Sequence, residues 1–377
     1  MRVWSNVAWV LVIICIASPT YSAEPDYFPP PESKGGWRSL LPEKGYPDVE
    51  QKAKIRATAG VDWDKLAAAW EFNQAPEGST SLLVIRRGYL VGEWYKGCDR
   101  EKPFNIYSSS KGYTSVAFGM LLADSKAGKL AGGKTLTLDT KVCTADWLPE
   151  ALPLSDPRKA DITLRHLLTM TSGVGAERLP ADAPFEGAMG KIEGSPLTKL
   201  KGTPGEVYNY SDANILHLVL LFNRVAGRDL LPYLKERLFD VIGIERVSWR
   251  QIGGKGKIGP LSEGYSGLQT NAREHARFCY LALHRGQWQG KQVVPANYYE
   301  FAWTGTKAKP DYGALWWVFP HHPDSPKDLV QTAGALNNHG YVVPSLDLVF
   351  VRLGNGQKYP NQFEQELVKR VIASVEK

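Results

Sequence analysis

The stretch Tyr107-Ser108-Ser109-Ser110-Lys111 gives the first indication of the fold and chemistry of this chain. Behind it, Val116, Ala117, Met120 and Leu121 continue at helical spacing, which predicts that Ser108 begins a buried helix. Serine and lysine three residues apart share one helix face, so the amine can reach the hydroxyl. A serine hydroxyl needs a nearby base to become a nucleophile, and lysine in an apolar pocket can act as that base. The spacing therefore predicts an acyl-transfer site.

The motif has one alternative interpretation, and the chain holds one further match to it. A serine-rich helix cap followed by a solvent-exposed lysine would give the same letters. A second Ser-x-x-Lys match, Ser374 to Lys377, lies at the extreme C-terminus, where fraying is expected, and we discard it.

The composition is that of a globular enzyme. Apolar residues make up 43% and charged residues 22% of the 377 residues. The net charge of +6 is spread along the chain without a long basic run, so no nucleic-acid partner is predicted.

The N-terminus resembles a signal peptide. Arg2 precedes the apolar segment 7–17, and a plausible cleavage zone ends near Ser22, which predicts a signal peptide over residues 1–22. The segment is too short to span a bilayer stably, so no membrane span is expected after cleavage. We therefore expect a periplasmic or secreted protein, with an uncleaved N-terminal anchor as the alternative.

The remaining chain is predicted to hold one domain. Residues 23–60, rich in proline, glycine and charge, are expected to form a loosely structured extension before a domain over 61–377. Alternation predicts a β-hairpin from strands 81–86 and 90–95, and a further strand over 346–352. Helical patterns are found at 63–72 and 363–375, with more helices in the middle of the chain. The fold class is thus α+β, with an antiparallel sheet built from both chain ends, flanking helices and a helical insertion.

Cysteines and histidines give no sign of a metal site. Cys98 and Cys143 can form a disulfide in an oxidising compartment, whereas Cys279 lies in an apolar helical pattern. His321 and His322 are adjacent, which is poor spacing for metal ligands, and no His-Glu-x-x-His sequence is present. No metal and no cofactor are predicted.

Two further segments resemble a known family. They are Pro204-Gly205-Glu206-Val207-Tyr208-Asn209-Tyr210-Ser211-Asp212 and Ile162-Thr163-Leu164-Arg165-His166-Leu167-Leu168-Thr169-Met170-Thr171-Ser172-Gly173. With Ser108 and Lys111 they resemble, in the right order, the serine β-lactamase-related family. That family covers class C β-lactamases, D-Ala-D-Ala peptidases, serine esterases and 6-aminohexanoate-dimer hydrolases. The resemblance spans roughly residues 75–375 and implies a β-lactamase/transpeptidase-like fold.

The resemblance implies a role for each matching residue. Ser108 corresponds to the nucleophile, Lys111 to its base and Tyr210 to a tyrosine that takes and returns a proton. Asp212 stands where the family usually has asparagine, and is expected to orient Lys111 or the substrate amide. The alternative for Tyr210 is a packing residue in a loop.

The third family motif departs from its usual form. The stretch Thr332-Ala333-Gly334-Ala335 keeps the glycine but lacks the cation that penicillin-processing relatives carry at the Thr332 position. Gly334 is expected to allow close backbone approach, and the N–H groups of Ala335 and Ser108 to form an oxyanion hole. His339 and Arg352 are the alternative sources of the missing charge.

We therefore expect an exported serine hydrolase that cleaves a small-molecule ester, amide or peptide through an acyl-enzyme on Ser108. The alternatives are a β-lactam or D-Ala-D-Ala peptide-processing enzyme, and a sensor or binding domain that acylates slowly. The oligomeric state stays open.

Overall fold

A computed structural model describes residues 27–254, 258–318 and 325–376. Its helices are α1 (Val49–Ala59), α2 (Trp63–Asn73), α3 (Ser110–Lys126), α4 (Leu164–Leu168), α5 (Pro184–Met189), α6 (Asp212–Ala226), α7 (Leu230–Leu234), α8 (Asp240–Ile242), α9 (Ala272–Leu283), α10 (Ala296–Ala302) and α11 (Phe363–Ala373). The strands are β1 (Thr80–Arg86), β2 (Tyr89–Lys96), β3 (Phe104–Asn105), β4 (Ser248–Trp249), β5 (Gln251–Ile252), β6 (Leu261–Ser262), β7 (Leu268–Thr270), β8 (Gln287–Trp288), β9 (Lys291–Gln292), β10 (Trp317–Val318), β11 (Val330–Gly334), β12 (Asn338–Val343) and β13 (Leu348–Gly354).

The main sheet joins the two ends of the chain, as predicted. Its six strands run in the order β10-β11-β12-β13-β1-β2, and every neighbouring pair is antiparallel. β1 and β2 form the predicted hairpin through Arg87 and Gly88, which both have positive φ, as a tight two-residue hairpin turn requires. β1 also pairs with β13, with Leu83 opposite Val351. The predicted α+β class and sheet arrangement are confirmed.

Helices cover both faces of this sheet, which explains why every residue of β1 is buried. Successive side chains of a strand point to opposite faces. Leu83 and Ile85 accordingly join the core that includes α3, α6 and α9. Leu82 and Val84 join a second core formed with α1, α2 and α11. The middle of β1, Leu82–Ile85, is therefore a continuous apolar run, because helices cover it on both faces.

The described part of the N-terminal extension is ordered, so the expected loose structure is wrong there. Asp48 caps α1 by accepting a hydrogen bond from the Gln51 N–H, and the Gln51 side-chain oxygen accepts one from the Asp48 N–H. Arg277 of α9 donates to the Pro29 and Pro30 carbonyls at 3.0 and 2.6 Å. Such buried bonds pin the extension to the domain. The predicted signal peptide lies outside the described residues, and the domain boundary at residue 61 stays a prediction.

The other predicted elements agree with the structure within a few residues. The two predicted helices correspond to α2 and α11. The strand predicted over 346–352 begins two residues later, because a 3₁₀ turn at Pro344–Leu346 ends in Asp347 with φ 45°.

Cys98, Cys143 and Cys279 are free thiols, so Cys98 and Cys143 are not bridged in this structure. Within the described ranges, no helix has the length and apolarity needed to cross a bilayer.

Candidate active site

Ser108 lies on a short 3₁₀ turn, Tyr107–Ser109, directly before α3. The Asn105 side chain accepts the Tyr107 N–H at 2.9 Å, and the Ser109 hydroxyl donates to the Asn338 carbonyl at 2.5 Å. These bonds fix the turn against the start of β12. The predicted buried helix is present, but it begins at Ser110, so Ser108 stands at its entrance with partial exposure.

Lys111 is buried, with 1% of its side chain exposed, which rules out the solvent-exposed lysine. Its Nζ lies 3.0 Å from Ser108 Oγ, 2.9 Å from Asp212 Oδ1 and 3.0 Å from the Tyr265 carbonyl oxygen. The carboxylate and the carbonyl only accept hydrogen bonds, whereas the serine hydroxyl can donate or accept. A neutral amine here would use two N–H groups on the acceptors and leave its lone pair facing Ser108. The geometry therefore suits proton uptake from Ser108.

Asp212 occupies the first position of α6, where the helix N-terminus favours a negative charge. Ser211 caps the helix by accepting the Asn214 N–H, so the carboxylate projects from a fixed backbone. Asp212 is 46% exposed and reaches in to pair with Lys111. A direct contact thus supports the expected role of Asp212 in orienting Lys111, and the role itself stays a prediction.

Tyr210 lies beside Lys111 and directs its ring, rather than its hydroxyl, toward the lysine amine. The lysine Nζ stands 4.8 Å from the Tyr210 ring centroid and 5.6 Å from that of Tyr265, within the range of cation–π attraction. Among the described residues, the Tyr210 hydroxyl makes no hydrogen bond to Ser108 or Lys111. The ring packs near Tyr312 and Trp317, with centroids 5.9 and 6.3 Å away. Tyr210 is therefore placed to support a lysine cation, and its proton-transfer role remains a prediction.

Ser108 and Tyr210 line a cavity of about 450 Å³. The other residues that line it come from the loop before β10, from β10 to β12 and from α11: Lys309, Trp317, Gln331, Ala333, Gly334, Ala335, His339, Glu364 and Gln365. Trp316 is fully buried in the core, whereas its neighbour Trp317 faces the cavity. Of these two adjacent tryptophans, one therefore packs in the core and the other is available to contact a substrate.

Gly334 and Ala335 lie at the end of β11, facing the Ser108 turn. A Cβ at position 334 would lie 2.1 Å from the Ile106 carbonyl oxygen, so only glycine allows the strand end to pass this close. Ala335 begins a 3₁₀ turn, Ala335–Asn337. The first N–H groups of a helical turn have no partner within it, which leaves those of Ala335 and Ser108 available to a ligand.

Thr332 does not line the cavity, although the family resemblance aligns it with the position where penicillin-processing members carry a cation. It is 2% exposed, and its hydroxyl lies 3.2 Å from Nε2 of the buried His275. Alternation along β11 places its neighbours Gln331 and Ala333 on the cavity side instead. A substrate group would therefore meet Ala333, a small apolar side chain.

The two alternative sources of charge differ in position. His339 lines the cavity, with Nε2 3.2 Å from the Gly334 carbonyl and Nδ1 2.8 Å from the Tyr341 hydroxyl. A carbonyl only accepts, so Nε2 carries a proton in this arrangement. Arg352 is fully buried behind the Ala335–Asn337 turn and is not part of the cavity lining.

Sequence reasoning missed several residues of this site. Lys309 lines the cavity as a cation, paired with Asp311 at 2.8 Å. Glu364 and Gln365 reach the cavity from the first turn of α11, and Tyr265 supplies a carbonyl to Lys111. None of these belongs to a short motif, so only the fold brings them to Ser108. Within the described ranges, no cluster of histidine, cysteine or acidic residues suited to a metal is found; His321 and His322 lie outside them.

Comparison with known proteins agrees with this arrangement. Among solved structures, a Bacteroides dorei protein assigned as a β-lactamase superposes with a TM-score of 0.66 at 16% identity, covering 84% of this chain and 98% of that one. A Bacillus anthracis protein assigned as a 6-aminohexanoate-dimer hydrolase gives 0.64 at 18% identity, covering 92% and 88%. A family VIII carboxylesterase gives 0.63 at 15% identity, covering 88% and 99%. At these identities the likeness establishes the fold.

The fold and the match of a family model define the class of protein. The β-lactamase family model matches residues 71–373, most of the chain. The chain belongs to the β-lactamase family, and it is a serine hydrolase. A search of curated proteins found no significant match.

Proposed function

We propose that this protein hydrolyses an ester or amide bond through an acyl-enzyme on Ser108. One observation carries the proposal: Lys111 Nζ lies 3.0 Å from Ser108 Oγ, and its two other partners are groups that only accept. A cavity of about 450 Å³ at Ser108 leaves room for a small substrate.

The reaction follows from these contacts. Lys111 takes the Ser108 proton while the serine oxygen attacks the substrate carbonyl carbon. The resulting oxyanion accepts hydrogen bonds from the N–H groups of Ser108 and Ala335. The tetrahedral intermediate then expels the alcohol or amine, which leaves with the proton from the lysine ammonium, directly or through the Tyr210 hydroxyl. Water cleaves the acyl-enzyme, releasing the acid and restoring the Ser108 hydroxyl.

Neutral esters or amides are the substrates best supported by the cavity. Ala333 faces it at the strand, and the lining cation Lys309 is already paired with Asp311. A carboxylate-bearing β-lactam would reach Lys309 only by disturbing that pair, and would reach His339 Nε2 only in competition with the Gly334 carbonyl. The structural similarity to a carboxylesterase supports the same choice. Processing of β-lactams or D-Ala-D-Ala peptides is the second candidate, supported by the family match.

Export to the periplasm or the medium is part of the proposal. It rests on Arg2, the apolar segment 7–17 and the cleavage zone ending near Ser22. N-terminal sequencing of the protein recovered from the producing cell tests it: a mature chain beginning at residue 23 supports export, and an intact Met1 in the cytosolic fraction contradicts it.

The function is tested with a substrate panel and a covalent probe. We expect turnover of p-nitrophenyl acetate or butyrate, weak or no turnover of nitrocefin, and loss of ester turnover in Ser108→Ala by several orders of magnitude. Intact-mass and peptide analysis should place the acyl or phosphonyl adduct on Ser108. An adduct on another residue would overturn the assignment. Stable acylation without product release would instead identify the slowly acylating sensor.

A further inference from the structure

The Ala335–Asn337 turn has an unusual backbone. Leu336 and Asn337 have φ values of 59° and 54°, so two successive non-glycine residues lie in the left-handed region. Each such residue is costly, and persists only when its surroundings hold it in place. Ala335, the proposed oxyanion donor, is the first residue of this turn. Whatever holds the turn therefore also sets the direction of the Ala335 N–H.

Side chains hold four successive carbonyls of the turn from behind. The Gly334 carbonyl lies 3.2 Å from His339 Nε2, and the Ala335 carbonyl accepts from Asn338 Nδ2 at 2.8 Å. Arg352 Nη1 donates to the Leu336 carbonyl at 2.5 Å and to the Asn337 carbonyl at 3.3 Å. The Tyr359 hydroxyl also donates to the Leu336 carbonyl, at 2.7 Å. Both left-handed residues are thus fixed by Arg352.

Arg352 is itself unusual, since it is a fully buried cation. In the described part of the chain, it has no carboxylate partner; its Nε donates to the Asn73 side chain at 3.3 Å, and its Nη2 makes no hydrogen bond. Burying an unpaired charge is costly. The rings of Tyr359 and Phe363 lie 5.3 and 5.7 Å from the guanidinium carbon and offset part of this cost. A residue kept at such a cost is a candidate for function.

We propose that Arg352 is a positioning residue of the oxyanion hole, holding the left-handed Leu336–Asn337 turn so that the Ala335 N–H faces Ser108. This proposal rests on the proposed function, because it assumes that Ser108 is acylated. Arg352 does not contact the substrate, since it is outside the cavity lining. It acts through two backbone carbonyls, and its loss should lower transition-state stabilisation while substrate binding is retained.

The test uses Arg352→Met, which keeps the bulk and removes the donors, and Arg352→Lys, which restores one cationic donor. Tyr359→Phe removes a single bond to the same carbonyl without burying or unpairing a charge. Arg277→Met is the control, because Arg277 is another fully buried arginine that donates to backbone carbonyls, at Pro29 and Pro30. It differs from Arg352 in also pairing with Glu32, at 2.8 Å. Active enzyme is counted with a fluorophosphonate, and the acylation rate is measured from the burst with p-nitrophenyl acetate.

We expect Arg352→Met to lower the acylation rate about tenfold to a hundredfold per active enzyme, while the dissociation constant of the substrate, taken from the concentration dependence of the burst rate, changes little. Arg352→Lys should recover part of the loss, and Tyr359→Phe should lose about two- to tenfold. Affinity for a trifluoromethyl ketone, whose adduct places an oxyanion in the hole, should fall in parallel with the rate. Arg277→Met should keep the rate per active enzyme.

Two outcomes would overturn the proposal. One is a wild-type acylation rate and ketone affinity in Arg352→Met after correction for active enzyme. The other is a wild-type rate in Tyr359→Phe when Arg352→Met does not fold. Failure of the proposed function is a separate result, because the wild-type protein would then form no adduct on Ser108.

Discussion

Lys111 and Asp212 form an ion pair whose two halves differ sharply in exposure. Their charged groups are 2.9 Å apart, yet the lysine side chain is 1% exposed and the aspartate 46%. The Lys111 amine is thus shielded from solvent by its neighbours, whereas Asp212 stays partly open to solvent. Asp212 can therefore serve Lys111 in two ways: as an acceptor that orients the amine, which an asparagine would also supply, and as a negative charge, which an asparagine would not.

Asp212→Asn tests that distinction. The amide oxygen can still accept from Lys111, so we expect ester turnover within about tenfold of wild type. Asp212→Ala removes the acceptor and leaves Lys111 with one fixed partner fewer, and should be markedly slower. The measurement is kcat/KM on p-nitrophenyl acetate for both variants. Equal, severe losses would show that the negative charge is required.

Lys111→Arg separates a base from a fixed charge. Arginine stays protonated and cannot accept the Ser108 proton, so we expect a loss nearly as large as in Lys111→Ala. Both should reach several orders of magnitude in the acylation rate. Near-normal acylation in Lys111→Arg would assign the base role to another group, with Tyr210 the first candidate.

Tyr210→Phe tests whether the hydroxyl carries the proton. The ring facing Lys111 is kept and only the hydroxyl is lost. General acid–base groups contribute about 10²–10⁴ in rate, so we expect kcat to fall by at least a hundredfold. Tyr210→Ala, which also removes the ring, should lose more. If phenylalanine supports wild-type kcat, Tyr210 acts only through its ring.

Ala333→Lys tests the basis of substrate selection. Ala333 faces the cavity, so a cation there should favour carboxylate-bearing substrates by more than tenfold, the size of one charge-assisted bond. The quantity to compare is the kcat/KM ratio of nitrocefin to p-nitrophenyl acetate. Thr332→Lys is the control, because its side chain would be buried against Gly112 and His275 and should cost stability without changing the ratio. Efficient nitrocefin turnover by the unmodified protein would contradict the preference for neutral substrates.

Thiol counting tests the cysteine pattern. Burial raises the pKa of Cys143 to about 11 and raises that of Cys279 further, so neither presents much thiolate at pH 8. In the chain lacking residues 1–22, Ellman's reagent should modify at most Cys98 in the native state and three thiols in denaturant. A single thiol in denaturant would show that Cys98 and Cys143 are bridged after export.

The sequence was a sound guide wherever one local pattern was sufficient. Alternation located β1 and β2, and helical spacing located α2, α11 and the burial of Lys111. It failed where distant segments meet. The extension was predicted to be loose from its proline and charge content. That composition gives no sign of the bonds that Arg277, a distant residue, makes to Pro29 and Pro30.

The site shows the same division. Ser108 and Lys111 are three residues apart, and their contact follows from helix geometry alone. Lys309, Glu364 and the Tyr265 carbonyl belong to no motif, so their place at the cavity depends on the fold. The Thr332 position shows a subtler limit, since alignment to a family motif names a position without telling which way its side chain points.

The pairing of β1 with β13 has a consequence for biosynthesis. Ser108 is made early, but Ala335 and Glu364, which complete its cavity, are made more than two hundred residues later. Likewise, one edge of the central strand β1 has no pairing partner until β13 has been made. A nascent chain therefore carries Ser108 before the cavity around it is complete. On the proposed function, hydrolytic activity requires that the chain through α11 has been made and has folded onto β11 and β12, which confines the chemistry to wherever that folding takes place.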